Sequence, residues 1–238
     1  MQNAPTPAQL IAAGFLEANR RFAASPSQGL HDALQFLVEL AVENIDACQW
    51  AAITAWPKGK EPYSPAVSDS VASRVDQIQY AVMEGPCLEA AKDDEPVSIP
   101  DLETDTQWPR FSRAVADELP VRAALAFPLG DHPDRIALNL YSGQANAFDA
   151  GQVHDAGLFA TQATGLMLHA MTAQKAAHIE GALDSNRQIG MAIGVLMAQQ
   201  NLTAGDAFEL LKRTSNARKR KVRDIAAYVV ESGELPTP

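Results

Sequence analysis

From Asp149 through Gln199 the chain runs 51 residues without a proline, interrupted only by scattered glycines. With Asp149 as an N-cap, this stretch predicts one helix several times longer than the roughly three turns common in globular domains. Such a helix either covers one domain and continues into another, or pairs with a second helix, and it splits the 238 residues into a larger part before it and a smaller part after it. Along it Val153, Ala156, Ala160, Ala163, Met167, Ala170 and Ala177 recur near heptad spacing. Residues of that size at that spacing suit close helix packing, and the expectation is a dimerising coiled coil; the alternative is a cover on the preceding domain's sheet.

Before the long helix the periodicity changes. Ala8 to Ala23 and Leu30 to Ala47 place apolar residues three and four apart and read as helices, separated by a Ser25-Pro26-Ser27 break. Trp50 to Trp56 reads as a strand ended by the Pro57-Lys58-Gly59-Lys60 turn, and Val75 to Val82 alternates as a second strand. Leu88 to Lys92 reads as a short helix, Val97 to Ile99 as a short strand, and Trp108-Pro109 opens a helix to about Glu118. Val121 to Leu129 and Arg135 to Tyr141 follow as strands joined by Gly130-Asp131-His132-Pro133-Asp134. This order predicts an α+β domain on an antiparallel sheet with flanking helices.

After the long helix, Thr203 with Asp206 three residues on resembles a capping box. The helix it starts runs to about Ser215 and is expected to turn Ala207, Phe208, Leu210 and Leu211 inward. A last helix covers about Val222 to Glu231, with Ile225, Ala226 and Val229 on its apolar side and Gly233 as terminator. The end of the chain is therefore an all-α three-helix unit.

Charge separates the two parts. Residues 1–177 carry 11 Lys+Arg against 22 Asp+Glu, whereas residues 178–238 carry 8 against 7. Within 212–223, Lys212, Arg213, Arg218, Lys219, Arg220, Lys221 and Arg223 stand with no acid among them. A concentrated basic segment on an acidic chain suits contact with a polyanion such as nucleic acid; a solvated helix face is the alternative.

Several classes are disfavoured. No apolar run approaches a membrane span and Met1 to Pro7 lacks a secretory signal, so a cytoplasmic location without membrane contact is expected. Cys48 and Cys87 have neither metal-ligand spacing nor that of a reactive cysteine and its resolving partner. Cys87 is a candidate redox or sensor-pocket residue, although its place after Gly85-Pro86 favours buried packing. His31, His132, His154, His169 and His178 form no helical ligand pair. No metal, cofactor or catalytic residue is implied, and an enzyme is not expected.

Residues 178–235 resemble the ANTAR domain, the RNA-binding output of bacterial transcription antiterminators. The resemblance rests on Ser185-Asn186-Arg187-Gln188-Ile189-Gly190-Met191-Ala192-Ile193-Gly194-Val195-Leu196-Met197, then Ala207-Phe208 and Leu211, Ser215, and Lys221-Val222-Arg223-Asp224-Ile225-Ala226. Two departures stand out: Ile193 where the family often has Lys, and Lys219 where it often has Asn. The resemblance implies binding to paired hairpins in nascent messenger RNA, which keeps a terminator from forming. Its candidate RNA-binding residues here are Arg187, Ala192, Gly194, Lys212, Arg213, Ser215, Arg218, Lys219, Arg220, Lys221 and Arg223. The basic side chains would meet phosphates, while Ala192 and Gly194 either admit the RNA closely or serve helix packing. Phe208 is expected to pack in the core.

Residues of about 30–148 resemble a GAF domain of the kind that often precedes ANTAR. The pieces are Glu84-Gly85-Pro86-Cys87, Pro100-Asp101-Leu102, Trp108-Pro109-Arg110-Phe111, Ala123-Ala124-Leu125-Ala126-Phe127-Pro128-Leu129, Ala137-Leu138-Asn139-Leu140-Tyr141-Ser142 and Phe148. The expected organisation is an N-terminal helix over 1–29, a GAF-like sensor domain over 30–148, a connecting or dimerising helix over 149–177 and an ANTAR domain over 178–235. The expected partners are RNA hairpins, an unknown small-molecule signal and a second copy of the chain. An RNA-silent sensor acting through dimerisation, and a DNA-binding helix-turn-helix, are the competing readings.

Overall fold

The computed structural model describes residues 6–24, 29–130 and 134–236. The chain order is α1 (Pro7–Ala24), α2 (Leu30–Asn44), β1 (Trp50–Trp56), β2 (Tyr63–Val67), α3 (Ser70–Val82), α4 (Pro86–Asp93), β3 (Val97–Ile99), α5 (Pro109–Glu118), β4 (Ala123–Pro128), β5 (Arg135–Ser142), α6 (Ala150–Gln200), α7 (Ala204–Arg218) and α8 (Val222–Ser232). Two compact units divide it between Thr172 and Ala173. The first is built on an antiparallel sheet in the order β2-β1-β5-β4-β3.

Alternation along the strands sends residues to two different layers. Ala51, Ile53, Leu125, Phe127, Leu138 and Leu140 join the buried cluster that includes α1, α2 and the first part of α6. Ala52, Ala124 and Tyr141 pack with α3 and α5, and Ala126 and Ala137 with Ala90 and Ala91 of α4. The alanines on this second face leave room for α4 to lie close to the sheet.

The heptad-like stripe finds its partners inside the chain. Ala156, Ala160, Ala163, Met167 and Ala170 are buried in the first cluster, Val153 packs against it, and Phe159 meets Phe15 edge-on at 5.0 Å. The expectation that these residues pair two chains is corrected here: over 153–170 the stripe covers its own domain. Ala177, the next member, is exposed.

The strand expected over Val75 to Val82 is instead the end of α3. The Asp69 carboxylate accepts from the Val71 and Ala72 amides at 2.8 and 3.2 Å and so starts a helix. Its buried residues, Ala72, Val75, Asp76, Ile78 and Gln79, follow helical spacing that a short window mistakes for alternation. The edge strand beside β1 is β2, Tyr63–Val67, a stretch with no element expected from the sequence alone. The Ser25-Pro26-Ser27 break and Asp131-His132-Pro133 lie outside the described residues; β4 and β5 nonetheless pair, with the Leu129 amide donating to the Ile136 carbonyl at 2.8 Å.

In the second unit Ala192 and Leu196 of α6, Ala207 and Leu211 of α7, and Ile225, Ala226 and Val229 of α8 form one buried cluster. Thr203 Oγ1 accepts from the Asp206 amide at 3.2 Å and donates to its carboxylate at 2.7 Å, so the expected cap on α7 is in place.

Candidate RNA interface and sensor core

The link from α7 to α8 presents the basic segment. Lys219 closes α7 in the left-handed conformation, φ 51°, with its amide shared by the Asn216 and Ser215 carbonyls. Ser215 then grips Arg220 twice: its carbonyl accepts the Arg220 amide at 3.1 Å, and its hydroxyl donates to the Arg220 carbonyl at 2.5 Å. Lys221 caps α8. Ser215 is buried, and its hydroxyl and carbonyl hold this turn.

The cations differ in how free they are. Lys212 pairs with Glu209 at 2.9 Å, Arg223 with Asp224 at 3.5 Å and Arg187 with Asp184 at 3.3 Å, all as exposed pairs that bind weakly. Arg218 is half-buried and donates to the Pro236 carbonyl at 3.2 Å. Among the described residues no ion pair engages Arg213, Lys219, Arg220 or Lys221, and all four are exposed.

The small residues of α6 separate. Ala192 is fully buried in the three-helix core, so packing accounts for it. Gly194 is exposed, and a Cβ built on it meets nothing within 4 Å. Packing therefore does not explain Gly194. Ile193, one of the two departures, packs against the core, a contact that a lysine would give up. Phe208 is corrected in the other direction: it is 38% exposed, with Lys212 Nζ 5.7 Å from its ring centre.

A second constellation, missed in the sequence, sits inside the sheet domain. The Asp76 carboxylate of α3 accepts from Ser64 Oγ at 2.6 Å, Tyr141 OH at 2.5 Å, Asn139 Nδ2 at 3.2 Å and Tyr80 OH at 3.3 Å. Asn139 also donates to Thr54 Oγ1 at 2.8 Å, and its Oδ1 is buried with no hydrogen-bond partner among the described residues. Gln79 donates to Tyr141 OH at 3.0 Å and accepts the Cys87 amide at 3.0 Å. Gly85, φ 133°, lies so close that a Cβ would stand 2.3 Å from Gln79 Oε1, so glycine is needed there on both counts. Burial raises the Asp76 carboxyl to about 6, against the pull of its hydrogen bonds.

Cys87 borders this cluster and is fully buried, and burial, with Asp76 nearby, pushes its thiol well up. Cys48 is buried too, its thiol pushed up to about 12 by burial. A buried neutral thiol is a poor nucleophile and a poor target for oxidants, and the burial of Cys87 accords with the packing role that its place after Gly85-Pro86 favours. Beside it, a surface hollow of about 170 Å³ is lined by Trp56, Met83, Glu84, Gly85, Leu88, Glu89, Lys92 and Trp108.

Against known families, the GAF domain profile matches residues 27–167 and the ANTAR domain profile matches residues 177–230. The chain belongs to the GAF and ANTAR domain proteins. No curated protein matches it. Among solved structures, free methionine-R-sulfoxide reductase from Neisseria meningitidis, in complex with its substrate, is 13% identical with a TM-score of 0.53; the match covers 73% of this chain and 97% of that one. A protein described as a GAF sensor from Burkholderia vietnamiensis is 16% identical with a TM-score of 0.51, over 74% and 96%. The GAF domain of a phosphoenolpyruvate-protein phosphotransferase from Coxiella burnetii is 14% identical with a TM-score of 0.50, over 70% and 98%. At these identities the likeness is one of fold. A GAF sensor domain followed by an ANTAR domain makes a sensor-regulator, and among the described residues no helix is long and apolar enough to cross a membrane.

Proposed function

We propose that this chain is a cytoplasmic, signal-responsive regulator of transcription antitermination, whose ANTAR domain binds hairpins in nascent leader RNA and whose GAF domain senses a small molecule. The observation that carries the reading is the turn of exposed cations from Lys219 to Lys221, without an ion pair among the described residues and fixed by Ser215 between two helices of the ANTAR domain. Preformed cations need little reorganisation to meet phosphates, and phosphate contact supplies much of RNA affinity. The exposed Gly194 adds a place where an RNA backbone approaches closely.

The regulator acts as a homodimer, and the signal changes the pairing or rotation of α6 and with it RNA binding. A ligand shifts that equilibrium only by its unequal affinity for the two states. The exposed Ile179 and Leu183 on α6 are apolar groups available for such pairing.

The chain has no catalytic activity in this reading. The methionine sulfoxide reductase fold raises the alternative, and the burial and high pKa of both thiols speak against a thiol reductase here.

The test is binding to tandem-hairpin leader RNAs from the source organism, with and without the double change Lys219→Glu, Lys221→Glu, at fixed near-physiological salt. Selective binding lost on charge reversal supports the reading. Absence of selective binding, also with cell metabolites added, overturns it.

A further inference from the structure

Phe208 stands at the edge of the core that its neighbours fill. Ala207 and Leu211 are buried in the ANTAR core, whereas Phe208 is 38% exposed and carries the Lys212 ammonium 5.7 Å from its ring centre. At 3.6 residues per turn, Phe208 and Lys212 fall on one flank of α7, about 6 Å apart along the axis, and the exposed Lys219 stands at the C-terminal end of the same helix, where the backbone turns left-handed. With 38% of its surface left in water, Phe208 is only partly used by the domain's own packing. A ring face beside cations does match a single nucleic-acid strand, whose bases offer π-faces and whose phosphates offer negative charge. Lys212 is held by Glu209 at 2.9 Å in the free protein, but both side chains are exposed and the exchange for a phosphate costs little.

We propose that Phe208 is a stacking platform for an unpaired base of the bound RNA, with Lys212 and Lys219 taking phosphates of the same strand. This rests on the RNA-binding reading above. It adds to the phosphate contacts a group able to hold a splayed loop base, the part of an RNA hairpin from which sequence is read.

The test uses the full chain and a library of tandem hairpins with fixed stems and randomised loops. The wild type is expected to enrich loops with a fixed base at one position. Phe208→Leu, which keeps bulk but removes the π-face, is expected to bind those RNAs about 10-fold or more weakly, while Phe208→Tyr stays close to wild type. An abasic nucleotide at the enriched position is expected to weaken wild type by a similar factor and Phe208→Leu no further. If Phe208→Leu keeps wild-type affinity while Lys219→Glu, Lys221→Glu loses it, the platform is wrong and the RNA reading stands. If wild type enriches nothing, also with cell metabolites added, the RNA reading falls and the platform with it. A Phe208→Leu variant that changes only self-association places the ring against a second copy and overturns the proposal.

Discussion

Tyr141 on β5 donates its hydroxyl to the Asp76 carboxylate on α3 at 2.5 Å, tying the centre of the sheet to the helix above it through a fully buried ion. Four donors surround Asp76, yet burial outweighs them and its pKa is raised from 3.8 to about 6. The folded protein thus holds this proton more tightly than the unfolded chain does. The associated stability is fully present below the unfolded pKa and is lost as pH rises through about 6.

Asp76→Asn removes that titration. Relative to the variant, the wild type is expected to lose up to about 1.4 kcal/mol of stability per pH unit between pH 4 and 6, and to run parallel to it above pH 7. Denaturant unfolding of both proteins across this range reads the difference directly. Parallel curves throughout would mean that Asp76 does not titrate differently on folding.

Both thiols are expected to resist alkylation in the folded protein. Cys48 is 4% and Cys87 0% exposed, and each has its pKa raised by burial. Mass spectrometry after iodoacetamide should find neither modified under native conditions at neutral pH, and both modified in denaturant. Rapid native labelling of Cys87 would reopen the redox reading.

The backbone of Lys219 sets a third expectation. With φ 51° it occupies the left-handed region, which asparagine adopts more readily than lysine. The asparagine frequent there in the resembled family is therefore accounted for by conformation. Lys219→Asn is expected to stabilise the protein by about 0.5–1 kcal/mol while weakening RNA binding by loss of one cation. Thermal unfolding and RNA titration on the same sample check the two signs, and a loss of stability would refute the conformational account.

What was legible in advance followed from periodicity over long windows. The uninterrupted run ending at Gln199, the alternation of β4 and β5, and the cap at Thr203 all became elements of the fold. Short windows failed, because Ile78, Tyr80 and Val82 alternate as in a strand while Val75, Ile78 and Val82 stand three and four apart as in a helix, and the Asp69 cap decides for helix. That error also hid Asp76. The polar residues Thr54, Asn139 and Tyr141, all on the second face of apolar strands, were the available sign of a buried polar cluster, since strand alternation sends them to one side. The basic segment was visible by composition, but the division between Ser215 as brace and Lys219 to Lys221 as display depends on tertiary hydrogen bonds. Phe208 was misjudged because helical periodicity cannot separate the centre of an apolar face from its edge, where a residue is half in water.

Gly194 allows stability and function to be set against each other. In the interior of α6 a glycine costs about 1 kcal/mol relative to alanine, and nothing among the described residues requires its lack of a side chain, because a Cβ there would meet none of them within 4 Å. If the glycine serves only the fold, Gly194→Ala is a gain without a loss. If it admits RNA, the added methyl holds the strand away from the helix. The expected outcome is a variant more stable by about 0.5–1 kcal/mol whose RNA affinity is several-fold lower, with the loss growing for Gly194→Leu. Equal RNA affinity for all three proteins would remove α6 from the interface and leave the Lys219 to Lys221 turn and α7 to carry binding.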